Sequence, residues 1–206
     1  MIVFKGFNSD LACTRGHGRF QYKIGETATA ETAQTASSGL HACKEPFGVL
    51  RYYSNFESDR YCICEAAGDI NEDGDHRVSS TLLTPLTEIT PQELALYEGA
   101  WLQKHPSLPY SKNVDDEEGT DNGYFTVVRG KNPTAYAITK GAVIILLQEF
   151  KTKNEIKKVA IYSIEHAKDK GWYQIGGKCE KGYSAKIKDA PGDSRDHKKS
   201  KRGSAV

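Results

Sequence analysis

The segment 39–70 constrains the fold of this chain more than any other stretch, because three elements follow one another in it with almost no spacer. A short apolar stretch, Gly-Leu-His-Ala-Cys, precedes Pro46, and proline is favoured in the first turn of a helix. The run Arg-Tyr-Cys-Ile-Cys at 60–64 follows a polar turn and is typical of a strand that is covered on both faces. These elements must pack against one another locally, so we expect the segment to form the nucleus of the core.

Strand patterns dominate on both sides of a single strong helix signal. Residues 2–7 and 19–24 are rich in apolar and aromatic side chains and end at glycines, which is typical of strands. Thr90, Pro91 and Glu93 form a capping-box sequence, and an apolar stripe at helical spacing follows until Pro106. After residue 123 the pattern is short β runs between turn residues.

These patterns predict an α+β fold in separate parts. We expect a small mixed N-terminal α/β domain at 1–105, an acidic linker at 106–122 and a mostly antiparallel β domain at 123–188. The remaining residues, 189–206, lack apolar periodicity and are expected to be a disordered basic tail.

The amino-acid composition indicates the class of protein and its cellular compartment but does not indicate an activity. The chain has 206 residues, a net charge of +1 and 38% hydrophobic residues, as in ordinary globular proteins. Its longest apolar run is far shorter than the roughly 20 residues that span a bilayer, and its first residues lack a secretory signal pattern. The five cysteines have no framework spacing, which predicts reduced thiols. We therefore expect a cytoplasmic protein without membrane contact.

Two metal-binding patterns are incomplete. His41, Cys43, Cys62 and Cys64 are soft ligands, but each pair is separated by one residue, whereas zinc pairs are usually two to four residues apart. The stretch 69–74 copies the first half of a calcium loop, but Ser80 stands where the bidentate glutamate belongs. The sequence therefore predicts buried thiols and an Asp-Gly turn, and no metal site.

One set of residue types is compatible with catalysis. Enzymes that transfer ADP-ribose from NAD use an early His or Arg, an aromatic residue that stacks on nicotinamide and a late glutamate. Here, beside Lys5-Gly6, the corresponding types are His41, Tyr52, Tyr53 and Glu65. A hydrogen-bonded histidine in the core explains His41 equally well. The catalytic residues therefore stay unknown, and NAD is expected as a cofactor only if this alternative holds.

Charge is distributed in two local clusters. Asp115, Asp116, Glu117 and Glu118 form an uninterrupted acidic run, which predicts a contact with a basic surface of a partner protein. The basic residues of 195–202 would attract phosphates, so any nucleic-acid binding is expected only through the tail. Both clusters are also compatible with simple solvation.

Several N-terminal motifs carry a family resemblance. Phe-Lys-Gly-Phe at 4–7, Gly-Leu-His-Ala-Cys at 39–43, the Tyr52-Tyr53 pair and Glu-Ala-Ala-Gly at 65–68 belong to it, with Asp-Gly-Asp at 73–75. In these motifs the chain resembles a group of uncharacterised phage and prophage proteins that share an N-terminal domain without an assigned activity. The resemblance implies a small accessory protein acting in the cytoplasm of a bacterial host, and it carries over no catalytic residue.

The sequence favours a protein that is not an enzyme. We expect a phage-encoded accessory protein that binds and modulates a bacterial protein or complex, as an inhibitor of antiviral defence. An NAD-dependent ADP-ribosyltransferase-like enzyme and a phage structural or assembly component are the alternatives. No residue pattern identifies the target.

Overall fold

A computed structural model describes residues 1–15, 18–74, 77–109, 111–150 and 155–179. Strands account for 50% of the structure and helices for 14%, with a single helix of seven residues or more in the described part. The predicted α+β class is therefore wrong, and the fold is essentially all-β. The strands extend through polar stretches such as 67–72, because pairing with a neighbour satisfies the backbone there whatever the side chains are.

The N-terminal strands form a sheet that closes on itself. Strand β1 pairs antiparallel with β5 and β6, and β7 pairs antiparallel with β5 and β6 as well, so these four strands make a ring. Strand β4 adds to the edge of β7, and β2 pairs with β3. The strands are β1 Ile2–Phe7, β2 Ala12–Cys13, β3 Phe20–Gln21, β4 Ala28–Thr29, β5 Leu40–Cys43, β6 Arg60–Glu72 and β7 Arg77–Ile89.

Two cores lie on opposite sides of strand β1. Val3 and Phe7 belong to the core inside the ring, with Cys62, Cys64 and other residues of β5 to β7. Phe4 belongs to a second core on the outside. Side chains alternate across a strand, so β1 contributes to both cores.

The predicted helix α1, Pro91–Lys104, is confirmed together with its cap. The Thr90 side chain accepts a hydrogen bond from the Glu93 amide, and the Glu93 carboxylate accepts one from the Thr90 amide. The helix predicted at Pro46 is a 3₁₀ helix, Pro46–Arg51. Leu94 and Leu102 of α1 enter the outer core with Phe47 of the 3₁₀ helix and Ile145 of the C-terminal sheet.

The C-terminal strands form a mixed sheet, in which three of the five strand pairings among the described residues are antiparallel and two are parallel. Strand β9 pairs in parallel with β8 and with β10, whereas β10 pairs antiparallel with β11 and β9 with β12. The sequence predicts short β runs after residue 123, whereas Phe125–Ala137 form one long strand, β9. The strands are β8 Asp115–Thr120, β9 Phe125–Ala137, β10 Val143–Glu149, β11 Ile156–Ser163, β12 Gly171–Gln174 and β13 Gly177–Cys179.

The segment predicted to be an acidic linker contains strand β8, so its acidic residues belong to the sheet. A second 3₁₀ helix, Ala167–Asp169, precedes β12. The predicted basic tail at 189–206 lies outside the described residues. Within the described ranges, no helix has the length and apolar character needed to cross a membrane.

Candidate functional site

His41 lies on β5 directly beside a buried lysine. The Lys5 ammonium donates a hydrogen bond to the His41 carbonyl at 2.5 Å. The His41 imidazole is partly buried, and its Nε2 has no hydrogen-bond partner among the described residues. Burial lowers the pKa of His41, and the positive charges of Lys5 and Arg77 lower it further. The His41 imidazole is therefore neutral at physiological pH.

Tyr52 and Tyr53 follow the first 3₁₀ helix and have different surroundings. Tyr52 is exposed, whereas the Tyr53 ring is buried and packs directly on Gly6 of β1. The Tyr53 hydroxyl donates a hydrogen bond to the Cys13 sulfur at 3.2 Å. The Tyr53 carbonyl accepts one from the Tyr61 hydroxyl at 3.1 Å. Of the predicted aromatic pair, Tyr53 thus lies beside a thiol, whereas Tyr52 forms a side-chain hydrogen bond with Arg77.

Glu65 is exposed on β6, where its backbone pairs with Ile2 and Thr84. No hydrogen bond or ion pair joins it to His41, Tyr52 or Tyr53 in the part of the chain that the structure describes. The geometry therefore brings Lys5 to the His41 carbonyl and Tyr53 to Cys13, but it does not place Glu65 with either group. An NAD-dependent activity stays a prediction that no contact among these four residues favours.

The residues of the two incomplete metal patterns have other surroundings. Cys43 packs in the outer core, whereas Cys62 and Cys64 pack inside the ring, so the thiols lie on opposite sides of the sheet. In the calcium-like turn, the Asn71 side-chain oxygen accepts hydrogen bonds from the amide and the hydroxyl of Thr35, each at 2.8 Å. The Asp73 carboxylate binds the Arg77 guanidinium at 2.6 Å. Asn71 and Asp73 thus form hydrogen bonds and an ion pair within the protein.

The acidic run forms β8, which pairs with β9 along one edge. Two of its carboxylates are bound within the sheet: Asp115 accepts a hydrogen bond from the Thr126 hydroxyl at 3.0 Å, and Glu117 accepts the amides of Lys131 and Asn132 at 2.7 and 2.9 Å. Glu117 has a left-handed backbone, φ 65°, at a break in the β8–β9 register, which directs its carboxylate across β9. Asp116 and Glu118 are exposed.

Sequence reasoning missed the importance of Cys13 and of two buried acids. Cys13 is half-buried at the edge of the ring and contacts both cores. Glu98 of α1 is fully buried, and Glu149 of β10 forms a buried ion pair with Arg129 at 2.5 Å. The sequence contains one indirect signal of this site, which is Lys5 within the apolar strand 2–7. A lysine is rarely buried without a partner, so a lysine in a buried strand indicates that polar groups lie close to it.

Burial raises the pKa of Glu98 to about 8, although the Phe47 amide, which donates to its Oε2 at 3.0 Å, acts in the opposite direction. The charge of Glu45 raises the pKa further. Glu98 is thus protonated at neutral pH in the folded protein, and it lies where α1 meets the first 3₁₀ helix.

Comparison with known proteins adds one finding. No curated protein and no solved structure matched the chain. Residues 1–97 match the model of a family described as a domain of unknown function (DUF7666), which covers the N-terminal ring and the first half of α1. The prediction that the N-terminal part is a domain of unknown function is therefore confirmed.

Proposed function

We propose that this protein is a phage-encoded accessory protein that binds and modulates a bacterial host protein or complex, as an inhibitor of antiviral defence. The phage origin, the host cytoplasm and the class of target rest on the resemblance of the N-terminal motifs to phage and prophage proteins. Strand β8 is proposed as the contact with the partner, which carries a basic surface.

The observation that supports this contact is the position of the acidic run at a sheet edge. Among the described strands, β8 pairs only with β9, so its other edge has backbone groups that a partner strand can join. Exposed edges of this kind are recognition sites in other proteins, and acidic side chains beside the edge select a basic partner. Charged residues also protect an edge from aggregation, so charge alone does not distinguish binding from protection.

The four acids of β8 differ in their roles, and this makes a clean test possible. Asp115 and Glu117 are bound to Thr126 and to the amides after Gly130, so replacing them would disturb the strand itself. All four acids are exposed. We assign the contact with the partner to Asp116 and Glu118, because replacing these two leaves the described hydrogen bonds of Asp115 and Glu117 in place.

The experiment is affinity capture of the tagged protein from bacterial lysate, compared with an Asp116→Asn/Glu118→Gln variant. A matched control neutralises two exposed acids elsewhere, Glu57→Gln/Glu165→Gln. We expect a near-stoichiometric host protein with the parent and the control, and at least a tenfold loss with the β8 variant. The captured complex should also weaken as salt is raised, because exposed charges are screened. Equal capture by all three proteins would refute the β8 contact, and capture of no host protein would refute the function.

A further inference from the structure

Two edges of the C-terminal sheet carry charges of opposite sign. Among the described strands, β8 pairs only with β9, and β11 pairs only with β10. Strand β8 has four exposed acids, whereas β11 has two exposed lysines, Lys157 and Lys158, directly after its buried first residue. The unpaired backbone groups therefore lie beside negative charge on β8 and beside positive charge on β11.

Glu118 and Lys158 are the members of these two sets whose charges the chain itself does not use. Among the described residues, neither side chain has an ion pair or a hydrogen bond. Lys157 differs, because its ammonium lies 3.3 Å from the Glu155 carboxylate and 5.8 Å from the centroid of the Phe150 ring. Each edge therefore presents at least one exposed charge that a neighbouring molecule of opposite charge can bind.

Strand β11 also has the length and the regularity that pairing with another strand requires. It has eight residues, and the register shift in its pairing with β10 falls beside its first residues, between Gln148 and Glu149. Ile161, near its other end, is 53% exposed. A long edge strand with exposed apolar side chains is a template for pairing with another chain unless charges prevent it.

The signs of the charges decide which pairings between copies are prevented. Two β8 strands side by side would bring acids together, and two β11 strands would bring lysines together, and like charges on adjacent strands are destabilising. A β8 strand beside a β11 strand brings acids next to lysines, and opposite charges on adjacent strands are stabilising. The charges thus oppose contact between identical edges but favour contact between the two different edges.

We propose that β8 of one copy of this chain pairs with β11 of a second copy, so that the C-terminal sheet continues from molecule to molecule. The contact joins two different surfaces, so each pair of copies still has one unpaired β8 and one unpaired β11. Such a contact produces rings or filaments and does not stop at a dimer. This inference goes beyond the proposed function and does not depend on it. It adds that a host partner and a second copy compete for β8.

Sedimentation velocity of the purified full chain tests the proposal without any host protein. Protein at about 1 µM to about 0.5 mM is measured in about 0.05 M and about 0.5 M salt. In low salt, the weight-average mass should rise with concentration beyond twice the monomer mass. In high salt it should fall towards the monomer mass, because exposed charges are screened. A monomer at every concentration, or a dimer that grows no further, would overturn the proposal.

Reversing one charge on each edge tests which strands meet. Glu118→Lys and Lys158→Glu should each weaken self-association at least about fivefold, because each places like charges across the contact. The exposed residues Glu165 and Lys140 lie outside the strands, so Glu165→Lys and Lys140→Glu are the matched controls and should associate like the parent.

The two reversed variants also test each other. In an equimolar mixture, the reversed β8 of Glu118→Lys meets the reversed β11 of Lys158→Glu, and the two unchanged edges match as well. The mixture should therefore regain the concentration dependence of the parent in low salt. Self-association that Lys158→Glu leaves unchanged would place the contact elsewhere, for instance on the basic segment 195–202, and would overturn the proposal. A mixture that stays as weakly associated as its components would also overturn it.

Discussion

The two halves of the molecule bury a cation in opposite ways. In the C-terminal sheet, Arg129 is 1% exposed and its guanidinium binds Glu149 at 2.5 Å and the Leu108 carbonyl at 3.0 Å, with a further bond to the Pro106 carbonyl. In the N-terminal ring, Lys5 is almost as buried, yet its hydrogen-bond partner is a single carbonyl.

The difference teaches what each charge does. Arg129 joins the chain after α1 to β9 and β10, and its charge is balanced where it stands, so its role is structural. Among the described residues no acid balances the charge of Lys5. Burial lowers the pKa of His41 and the charge of Lys5 lowers it further, whereas burial raises the pKa of Cys13 and the charge of Lys5 opposes that effect. A balanced buried charge supports the fold, whereas an unbalanced one also changes the pKa values of neighbouring groups.

The sharpest test of the comparison is Arg129→Met, which should produce the largest effect. The change leaves the Glu149 carboxylate buried without its partner and removes the donor from two carbonyls, so the free energy of unfolding should fall by about 3–5 kcal/mol. Denaturant unfolding measures it. The exposed ion pair between Arg60 and Glu88 supplies the control, because Arg60→Met should cost only about 1 kcal/mol. Similar losses in the two variants would contradict the structural role of Arg129.

Glu98 provides the second test, since it is fully buried on α1 and accepts a hydrogen bond from the Phe47 amide of the first 3₁₀ helix. Its pKa is raised from 4.5 to about 8 in the folded protein, so the folded state binds the proton more tightly than the unfolded state. The resulting stability is complete below about pH 4.5 and is lost as pH rises from there to about 8, with a fall of about 4 kcal/mol between pH 5 and pH 8.

Denaturant unfolding of the parent and of Glu98→Gln across this pH range shows whether stability falls as pH rises and whether Glu98 causes the fall. The variant should lose this component of the pH dependence, whereas Glu57→Gln, at an exposed acid, should retain it. A parent whose stability rises steadily from pH 5 to pH 9 would show that Glu98 is not protonated in the folded state.

The third test concerns the contact that fixes Tyr53. Gly6→Ala would place a Cβ atom 2.5 Å from the Tyr53 ring, and the ring must shift because it is enclosed by the outer core. We expect a loss of about 2 kcal/mol in the free energy of unfolding. Gly74→Ala is the matched control, because nothing lies within 4 Å of its Cβ position. Equal stability of the two variants would mean that Tyr53 is not held as described.

The smallest change in stability is expected for Lys5→Met, and it tests the comparison between Lys5 and Arg129 directly. Lys5→Met replaces an unbalanced buried charge by an apolar side chain of similar volume, so stability should rise or change by less than about 1 kcal/mol. The same chemical change therefore has a large cost at Arg129 and almost none at Lys5. Thermal unfolding of the two variants side by side measures this, and a Lys5→Met loss as large as that of Arg129→Met would break the comparison.

The sequence was informative where a signal is local. The capping residues Thr90 and Glu93 predicted the start of α1, and the apolar run 2–7 predicted β1, because both signals depend on neighbours in the chain. The fold class depends on pairing between distant residues. Polar stretches of β6 and β9 are strands because a partner strand satisfies their backbone, and single-sequence periodicity does not contain that information.

The candidate site shows the same limit. His41 and Tyr53 were found by residue type, but the fold places His41 beside Lys5 and Tyr53 beside Cys13, and it leaves Glu65 apart. The Tyr53 hydroxyl reaches the Cys13 sulfur although the two residues are 40 positions apart in the chain. Likewise, the Glu117 carboxylate binds the amides of Lys131 and Asn132, which no acidic run in a sequence reveals.

The closed N-terminal ring also has a kinetic consequence. Strand β1 pairs with Cys43 of β5 and with residues 60–65 of β6, so ring closure needs contacts between positions that are distant in the chain. Non-local pairings of this kind slow folding to the range of milliseconds to seconds, whereas a capped helix such as α1 forms far faster. During synthesis on a ribosome, the first strand must therefore wait with its apolar side chains exposed until β6 and β7 have emerged, and chaperone binding in that interval would fall on residues 2–7.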